Sequence, residues 1–405
     1  MKIVHTADWH LGDRLDRLDR TDDLRRAVER VAAYCAEEQA DVLLVAGDLF
    51  SELSRPDSLR ASMEHLAEIF MPFLARGGTI IAVTGNHDNE NFCQTLRQVL
   101  RLAAPEVAAA GAVVPPGRFY LAAHPTFFRL ADRDGAEVQF VLMPYPLASR
   151  YLDETKQRYS SLEEKHKALQ QAFSARLQAI RTSADFRPDV PTVLAAHIHV
   201  QSAVMPSLFR LTERESIIFP DSDVPKDWAY VAFGHIHQAQ SLMGLPHVRY
   251  AGSIERLDMG ERDDRKSVAF VEIGPEGRRG PPRLLPLEAT PIYDVVITNP
   301  REELPQLRRR YPDHERALVR LHLEYTPGQD NLQDILSELD AIFPRWYKRE
   351  WCEVSALGPA QAARDPTPTL KSFHETVLDY IDAELADNPA HKEVRKLAES
   401  LLAEE

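Results

Sequence analysis

Short apolar runs alternate with helical patterns along the first 275 residues, and this alternation constrains the fold more than any other feature. Val42–Ala46 and Thr79–Thr84 have the length and composition of buried strands, whereas residues 21–38 repeat apolar side chains every three or four positions and indicate a helix. Further strand candidates follow at 138–143, 192–196, 229–233, 248–251 and 267–273. Strands that alternate with helices early and follow one another late predict a layered α/β sandwich.

Two stretches with the composition of linkers divide the rest of the chain. Residues 274–286 are rich in Gly, Pro and Arg, and residues 358–369 contain three prolines. Between them, the order strand, helix, strand, helix, strand predicts a small α/β domain. We therefore predict a main domain, a small α/β domain and a pair of amphipathic C-terminal helices, at residues 1–275, 287–356 and 370–403.

Composition and charge limit the classes of function. The chain has 405 residues, of which 44% are hydrophobic, so it can bury a sizeable core. The net charge of −14 argues against a generic nucleic-acid binder, because phosphate contacts need a basic surface. Bound divalent cations or a partner protein could supply that positive charge.

The cysteines and the apolar segments indicate in which cellular compartment the protein is expected. The three cysteines are far apart, which excludes a disulfide scaffold or a zinc finger and fits a reducing cytosol. The N-terminal residues lack the apolar segment of a secretion signal. The longest low-polarity stretch, residues 102–114, is too short to cross a bilayer. These features predict a cytoplasmic protein without a membrane partner.

Polar clusters follow five of the predicted strands, where parallel α/β sheets place their ligands. Aspartate, neutral imidazole and amide oxygen suit manganese, iron or zinc, and a carboxylate between two metals can bridge them. Each cluster alone is more often a turn or a surface feature, but five in order favour one metal centre for phosphoryl transfer. The candidate residues are Asp8, His10, Asp48, Asn86, His87, His197, His235 and His237.

The same clusters carry a family resemblance. Their order resembles the motifs of calcineurin-like metallophosphoesterases. Longer stretches are similar to those of the bacterial SbcD nuclease family, the counterpart of the archaeal and eukaryotic double-strand-break repair nuclease: Asp8–Gly12, Gly47–Phe50, Phe233–Gln240 and Tyr250–Ser253. The resemblance covers nearly the whole chain. It implies a layered metallophosphoesterase sandwich that acts as the nuclease domain, a small α/β capping domain, and C-terminal helices that bind a partner.

The resemblance also implies how the site is used. It places one metal on Asp8, His10, Asp48 and His237 and a second on Asp48, Asn86, His197 and His235. His87 would stand beside the leaving oxygen as general acid or charge stabiliser. His199 completes a second HxH pair with His197, and we interpret it as an outer or surface residue. Some members of the family carry a histidine where this chain has Ser51, so the role of that histidine does not carry over.

The function implied by the resemblance is a manganese-dependent DNA exonuclease and endonuclease. Its partner would be an SbcC-like ATPase with a coiled coil, which fits a chain that has no GxxxxGK[ST] motif of its own. A homodimer within a heterotetramer, associated with the nucleoid, is also implied.

Two other functions stay open at this point. The first is a two-metal phosphatase or small phosphodiesterase. Protein phosphatases of this superfamily carry an arginine shortly after the Gly-Asp motif, whereas residues 49–52 are Leu-Phe-Ser-Glu. The second is a non-catalytic scaffold for a DNA-repair ATPase, for which a degenerate ligand set would be typical. Here no expected ligand is missing.

Overall fold

The structure is a computed structural model that describes residues 1–52, 54–104, 110–152, 159–205 and 217–354, together with Arg395. It divides into two compact units. The first takes its residues from Met1–Leu323 and Gln333–Trp351, and the described residues of the second are Glu324–Leu332, Cys352–Val354 and Arg395. The predicted linker at 358–369 and, except for Arg395, the predicted helices at 370–403 lie outside the described residues.

The helices and strands follow one another in two groups. Up to residue 200 they are β1 (Lys2–Thr6), β2 (Arg14–Leu15), β3 (Leu18–Asp19), α1 (Thr21–Glu37), β4 (Val42–Ala46), α2 (Pro56–Ala75), β5 (Thr79–Val83), α3 (Glu90–Ala103), β6 (Val113–Val114), β7 (Phe119–Ala122), β8 (Thr126–Ala131), β9 (Glu137–Met143), α4 (Ala148–Tyr151), α5 (Leu162–Arg181), β10 (Thr192–His197) and β11 (His199–Val200). After it they are β12 (Ile218–Phe219), β13 (Tyr230–Gly234), β14 (Gln240–Leu242), β15 (Leu245–Tyr250), β16 (Ser267–Gly274), β17 (Gly277–Arg278), β18 (Arg283–Pro286), β19 (Ile292–Ile297), α6 (Pro300–Arg310), β20 (Leu318–Tyr325), α7 (Leu332–Ile342) and β21 (Trp346–Glu353).

Two seven-stranded sheets form the centre of the first unit. The first sheet has the order β17–β16–β1–β4–β5–β7, and β18 also pairs with β16. Its strands β1, β4, β5 and β7 are parallel. The second sheet has the order β14–β15–β13–β10–β9–β8–β6, with β9, β10, β13 and β15 parallel. In both sheets the parallel strands point their carboxyl ends to one edge, where the polar clusters begin.

The sheets pack face to face between two layers of helices. Leu44 of the first sheet and Phe140 of the second belong to one apolar cluster in which both are fully buried. Val28 of α1 and Phe70 of α2 pack on the other face of the first sheet, and Phe173 of α5 packs on the other face of the second. Burying a side chain of this size contributes roughly 1.5–3 kcal/mol. The predicted layered α/β sandwich is therefore confirmed.

The small sheet β19–β20–β21 follows the predicted order, with α6 and α7 between its strands. Strands β19 and β20 are parallel, from Ile292 opposite Leu318 to Ile297 opposite Leu323. Most residues between 287 and 351 belong to the same compact unit as the two large sheets. A separate capping domain that begins at residue 287 therefore stays a prediction.

The interpretation of residues 274–286 as a linker is wrong. Strands β17 and β18 both form antiparallel pairs with β16, the latter from Ser267 opposite Pro286 to Phe270 opposite Arg283. The glycines and prolines mark turns, as expected, but these turns join neighbouring strands of one sheet because β16 offers backbone groups for pairing. In the part of the chain that the structure describes, no helix has the length and apolar character needed to cross a membrane.

Candidate metal centre

Five loops bring the predicted site residues together at one edge of the two sheets. Asp8 and His10 follow β1, Asp48 follows β4, and Asn86 and His87 follow β5. From the second sheet, His197 is the last residue of β10, and His235 and His237 follow β13. All are buried except Asn86, which is partly exposed.

Backbone hydrogen bonds join the loops after β1 and β4. The amide groups of Asp8 and Trp9 donate to the carbonyl oxygens of Gly47 (3.0 Å) and Asp48 (2.8 Å), and His10 also donates to Asp48 (3.0 Å). Four of the candidate site residues adopt positive φ angles that non-glycine residues rarely occupy: Asp8 (52°), His10 (45°), Asp48 (50°) and His235 (96°). Such strain is concentrated at functional sites, where the surrounding structure stabilises it.

Two glycines allow the ligand side chains to approach the backbone. A Cβ atom on Gly85 would lie 2.0 Å from Asp48 Oδ1, and one on Gly47 would lie 2.1 Å from His197 Nδ1. Neither position can hold a side chain without moving a predicted ligand. Glycine at these two places is therefore required for the site and not only for the turn.

Asp8, His10 and His237 form one half of the site. One candidate ligand atom from each lies within 4.8 Å of the other two. The His10 and His237 rings have centroids 5.2 Å apart and lie nearly edge to face. The His235 amide donates to Asp8 Oδ1 at 3.0 Å, which orients the carboxylate.

Asp48, Asn86, His197 and His235 form the other half. His197 Nε2 lies 3.1 Å from Asp48 Oδ2 and 3.0 Å from Asn86 Oδ1. Asn86 Oδ1 is also 3.1 Å from His235 Nδ1. Asp48 Oδ2 is 3.7 Å from His10 Nε2, so Asp48 lies between the two halves.

Burial and the neighbouring charges shift the pKa values of the carboxylates in opposite directions. Burial raises the pKa of Asp8 to about 6, against the opposing charges of His197 and His237. Burial would also raise the pKa of Asp48, but the charges of His197 and His87 hold it well below its usual range. Burial disfavours the His197 imidazolium, yet Asp48 and Asp8 raise its pKa to about 9. Protons and a metal cation would therefore compete for the same carboxylate and imidazole atoms.

The donor set fits divalent cations. His197 Nδ1 donates to the carbonyl oxygen of Ala46 at 2.8 Å, so in the neutral ring the lone pair of Nε2 faces the oxygens of Asn86 and Asp48. Asp48 Oδ2 is buried and lies 3.1 Å from His197 Nε2 and 3.7 Å from His10 Nε2. A divalent cation could bind between acceptor atoms that converge in this way, and imidazole with carboxylate is a ligand set for manganese or zinc.

His87 lies beside this cluster rather than within it. Its backbone amide donates to Asp48 Oδ1 at 2.9 Å, and its ring centroid is 5.0 Å from that of His10. Glu52 Oε2 lies 3.3 Å from His87 Nδ1. Ser51, where some relatives carry histidine, is buried and donates to Asp13 Oδ1 at 2.8 Å. His199 is half-buried, 6.2 Å from His235 between ring centroids, and outside both ligand groups.

Three residues that the motifs do not reveal also shape the site. Glu261 accepts a hydrogen bond from His237 Nδ1 at 2.8 Å, and Lys266 lies 2.6 Å from Glu261. The Tyr145 ring has its centroid 5.8 Å from that of His235. Glu261 and Lys266 carry no local signal, since only long-range packing places them at His237. Tyr145 directly follows the buried strand β9 and Pro144, at the same sheet edge as the other clusters, and this position could have indicated it.

Comparison with known proteins agrees with this geometry. The family model of the calcineurin-like phosphoesterases matches residues 1–239, which is more than half of the chain. The chain belongs to the calcineurin-like phosphoesterase family. The matched range includes every candidate site residue from Asp8 to His237, and it confirms the family to which the motifs point.

Comparison with individual proteins shows which members of this family the chain is similar to. The chain is 26% identical over 285 residues to the SbcD component of the nuclease SbcCD from Bacillus subtilis, covering 68% of this chain and 67% of that protein. It is 27% identical over 305 residues to the protein of the same name in Escherichia coli, covering 74% and 70%. It is 25% identical over 274 residues to the DNA double-strand break repair protein Mre11 of Aeropyrum pernix, covering 67% and 58%. The predicted similarity to the SbcD family is confirmed.

Proposed function

We propose that this chain is the nuclease component of a DNA-repair complex and hydrolyses phosphodiesters with two divalent metals, most effectively manganese. The proposed activities are 3′→5′ exonuclease on double-stranded ends and endonuclease on single strands and hairpins. The observation that carries the proposal is the convergence of seven candidate metal ligands from five loops into one cluster, in which all but Asn86 are buried. The names of the relatives supply the substrate class.

The geometry supports the division of ligands that the family implies. Asp8, His10, Asp48 and His237 would hold one metal, and Asp48, Asn86, His197 and His235 the other. Asp48 Oδ2 faces both His10 and His197, at 3.7 and 3.1 Å, which suits a bridging carboxylate. Asp8 also lies 3.9 Å from His197, but from Nδ1, whose proton is donated to Ala46.

Two metals bound there would neutralise the phosphate and lower the pKa of a bound water for attack on phosphorus. The protein positions the reacting groups. Asn86 is the partly exposed member of the set, and Tyr145, whose ring lies 5.8 Å from that of His235, is also partly exposed, so substrate would approach across these two residues. The buried carboxylates and imidazoles are already held in place by the fold, so these polar groups need not reorganise during the reaction.

His87 is the residue that we assign to departure of the sugar oxygen. Its backbone amide bonds to Asp48, which fixes the loop, and its ring packs beside His10. Glu52 Oε2 lies 3.3 Å from Nδ1 and would favour the doubly protonated ring, whose Nε2 proton is then available to the leaving group. A positioned general acid of this kind typically contributes 10²–10⁴-fold to the rate.

The partners are proposed from the relatives and from the sequence. The relatives from Bacillus subtilis and Escherichia coli are named as one component of a nuclease, SbcCD. An SbcC-like ATPase with a coiled coil would supply the nucleotide site and a basic surface, and the acidic region at 370–403 would bind it. A homodimer within a heterotetramer, located in the cytoplasm at the nucleoid, completes the proposal.

Cleavage assays with defined substrates test the proposal. Purified chain is incubated with manganese and with linear duplex, hairpin or single-stranded DNA, or with a phosphomonoester. We expect cleavage of DNA and little release of phosphate from the monoester. Efficient phosphomonoester hydrolysis without DNA cleavage would favour the phosphatase alternative, and no hydrolysis with both metals bound would favour the scaffold.

Matched variants assign the activity to the site. Asp48→Ala should abolish cleavage, whereas Asp189→Ala removes a carboxylate that is 75% exposed and precedes the start of β10, the strand that ends at His197. His235→Gln is paired with His247→Gln, since His247 lies in β15 and contacts only the carbonyl oxygen of Lys226 among the hydrogen bonds of the described residues. Equal loss in a variant and its control would contradict the assignment.

A further inference from the structure

His237 is held by a buried ion pair that lies behind the metal centre. Its Nδ1 donates to Glu261 Oε1 at 2.8 Å, which leaves Nε2 as the ring atom for the centre. Glu261 is fully buried, and its other oxygen, Oε2, accepts from Lys266 Nζ at 2.6 Å. Lys266 is itself only 3% exposed. A buried pair of this kind costs desolvation, so its presence alone is weak evidence for a contribution to stability.

The same lysine also holds the backbone of His237. Lys266 Nζ donates to the carbonyl oxygen of His237 at 3.0 Å, and the Ser253 amide donates to that oxygen at 3.0 Å. Gly252 makes this approach possible, because a Cβ atom there would lie 2.7 Å from the His237 carbonyl oxygen. The imidazole and the main chain of one predicted ligand are therefore fixed by one network.

The charges of the network are complementary. The Lys266 ammonium lies 2.6 Å from Glu261 Oε2, so the buried carboxylate is paired in its ionised form. An ionised acceptor on Nδ1–H fixes the tautomer and increases the electron density at Nε2. This arrangement is typical of the carboxylates that orient metal-binding histidines.

We propose that Glu261 and Lys266 are positioning residues that fix His237 and set the affinity of one of the two metals. The inference rests on the proposed function only in that His237 is taken as a metal ligand. Loss of such an outer carboxylate typically lowers metal affinity or activity 10–100-fold. The second metal, which His237 does not contact in the proposed division, should be bound nearly as in wild type.

The test compares metal binding in Glu261→Gln and Glu255→Gln. Glutamine at 261 keeps a carbonyl acceptor for Nδ1–H but loses the charge, and Lys266 retains Asp264 at 3.1 Å, so the fold should be preserved. Glu255 is a similarly buried carboxylate that accepts from Thr290 and not from a site histidine. Manganese affinity is measured by calorimetric titration, and folding by circular dichroism.

We expect Glu261→Gln to weaken one of two manganese sites by about 10–100-fold and Glu255→Gln to leave both unchanged. If Glu261→Gln does not fold, the double variant Glu261→Gln with Lys266→Met removes both charges and is measured in the same way. Two wild-type affinities in a folded variant would overturn the proposal.

The metal-binding test of Glu261 and the cleavage test of the nuclease can succeed or fail independently. A wild-type chain that binds two metals and cleaves no DNA would refute the nuclease, while a selective loss of one metal in Glu261→Gln would still support the positioning role. Conversely, manganese-dependent cleavage with unchanged affinities in Glu261→Gln would leave the nuclease and remove the positioning role.

Discussion

Replacing Asp23 by alanine should destabilise the protein by about 3–5 kcal/mol. The Asp23 side chain is 1% exposed and bonds to three arginines, at 2.7 Å from Arg20 Nε, at 2.5 Å from Arg26 and at 3.2 Å from Arg345 Nη1. Arg20 is also 1% exposed. In the variant, its remaining carboxylate partner would be Glu255, whose Oε2 lies 3.7 Å from Arg20 Nη2. The variant therefore leaves a buried guanidinium that keeps the Arg256 carbonyl oxygen at 2.8 Å but whose remaining carboxylate, on Glu255, is beyond hydrogen-bonding distance.

The other two arginines contribute less to this magnitude. Arg26 is 64% exposed and Arg345 is 24% exposed, so water can replace much of what Asp23 provides. Exposed pairs contribute about 0–1 kcal/mol. Arg26→Ala is thus the matched control, with an expected loss below about 1 kcal/mol. Because Arg345 directly precedes β21, Asp23→Ala should also make residues 287–351 easier to cleave with protease.

The assay is urea unfolding of wild type, Asp23→Ala and Arg26→Ala at several pH values. Burial would raise the pKa of Asp23, but Arg345 and Arg20 lower it below its usual range. The stabilisation is therefore complete above the unfolded pKa of about 3.9 and is lost as pH falls through the lower folded value. A loss in Asp23→Ala no larger than in Arg26→Ala at neutral pH would refute the reasoning.

Three further predictions concern the site and the partner. Asp48→Ala should lose more bound metal than any single histidine variant, and two metals still counted per chain would defeat the bridging assignment. His87→Gln should reduce turnover by roughly 10²-fold or more with unchanged metal content, whereas cleavage near the wild-type rate would remove its role. A chain ended after Pro359 should lose co-purification with an SbcC-like ATPase and keep manganese-dependent cleavage of single-stranded DNA. Retained binding would place the interface elsewhere, and misfolding would show that the deleted residues belong to the core.

Much of the fold is predictable because local pattern and tertiary packing agree. Strand β4 is a run of five apolar residues and is buried along its whole length, and α1 covers Thr21–Glu37 with most of its apolar side chains buried. The boundaries of both differ little from the sequence prediction. Strands β7 and β8 and helix α3 were not predicted from the sequence. In α3 a helical pattern is nevertheless present, because Phe92, Leu96 and Leu100 recur every four residues.

The remaining differences have tertiary causes. Residues 274–286 have the composition of a linker, but the pairing of β17 and β18 with β16 decides their conformation, since strand formation depends on neighbours more than on intrinsic preference. In the site, the convergence of the candidate ligands was predictable because each lies at or just after the end of a strand. Glu261 was not, because its relation to His237 depends on the loop from Gly252 onward and not on a local pattern.

The most direct test of the central claim is the rate of DNA hydrolysis measured against the number of manganese ions bound per chain. Metal-free protein is titrated with manganese, and bound metal and hairpin cleavage are followed in the same samples. If the five loops form one two-metal centre, cleavage should be absent without metal and should rise as the second ion binds. Full activity in the metal-free chain, or a maximum at one ion per chain, would contradict the account.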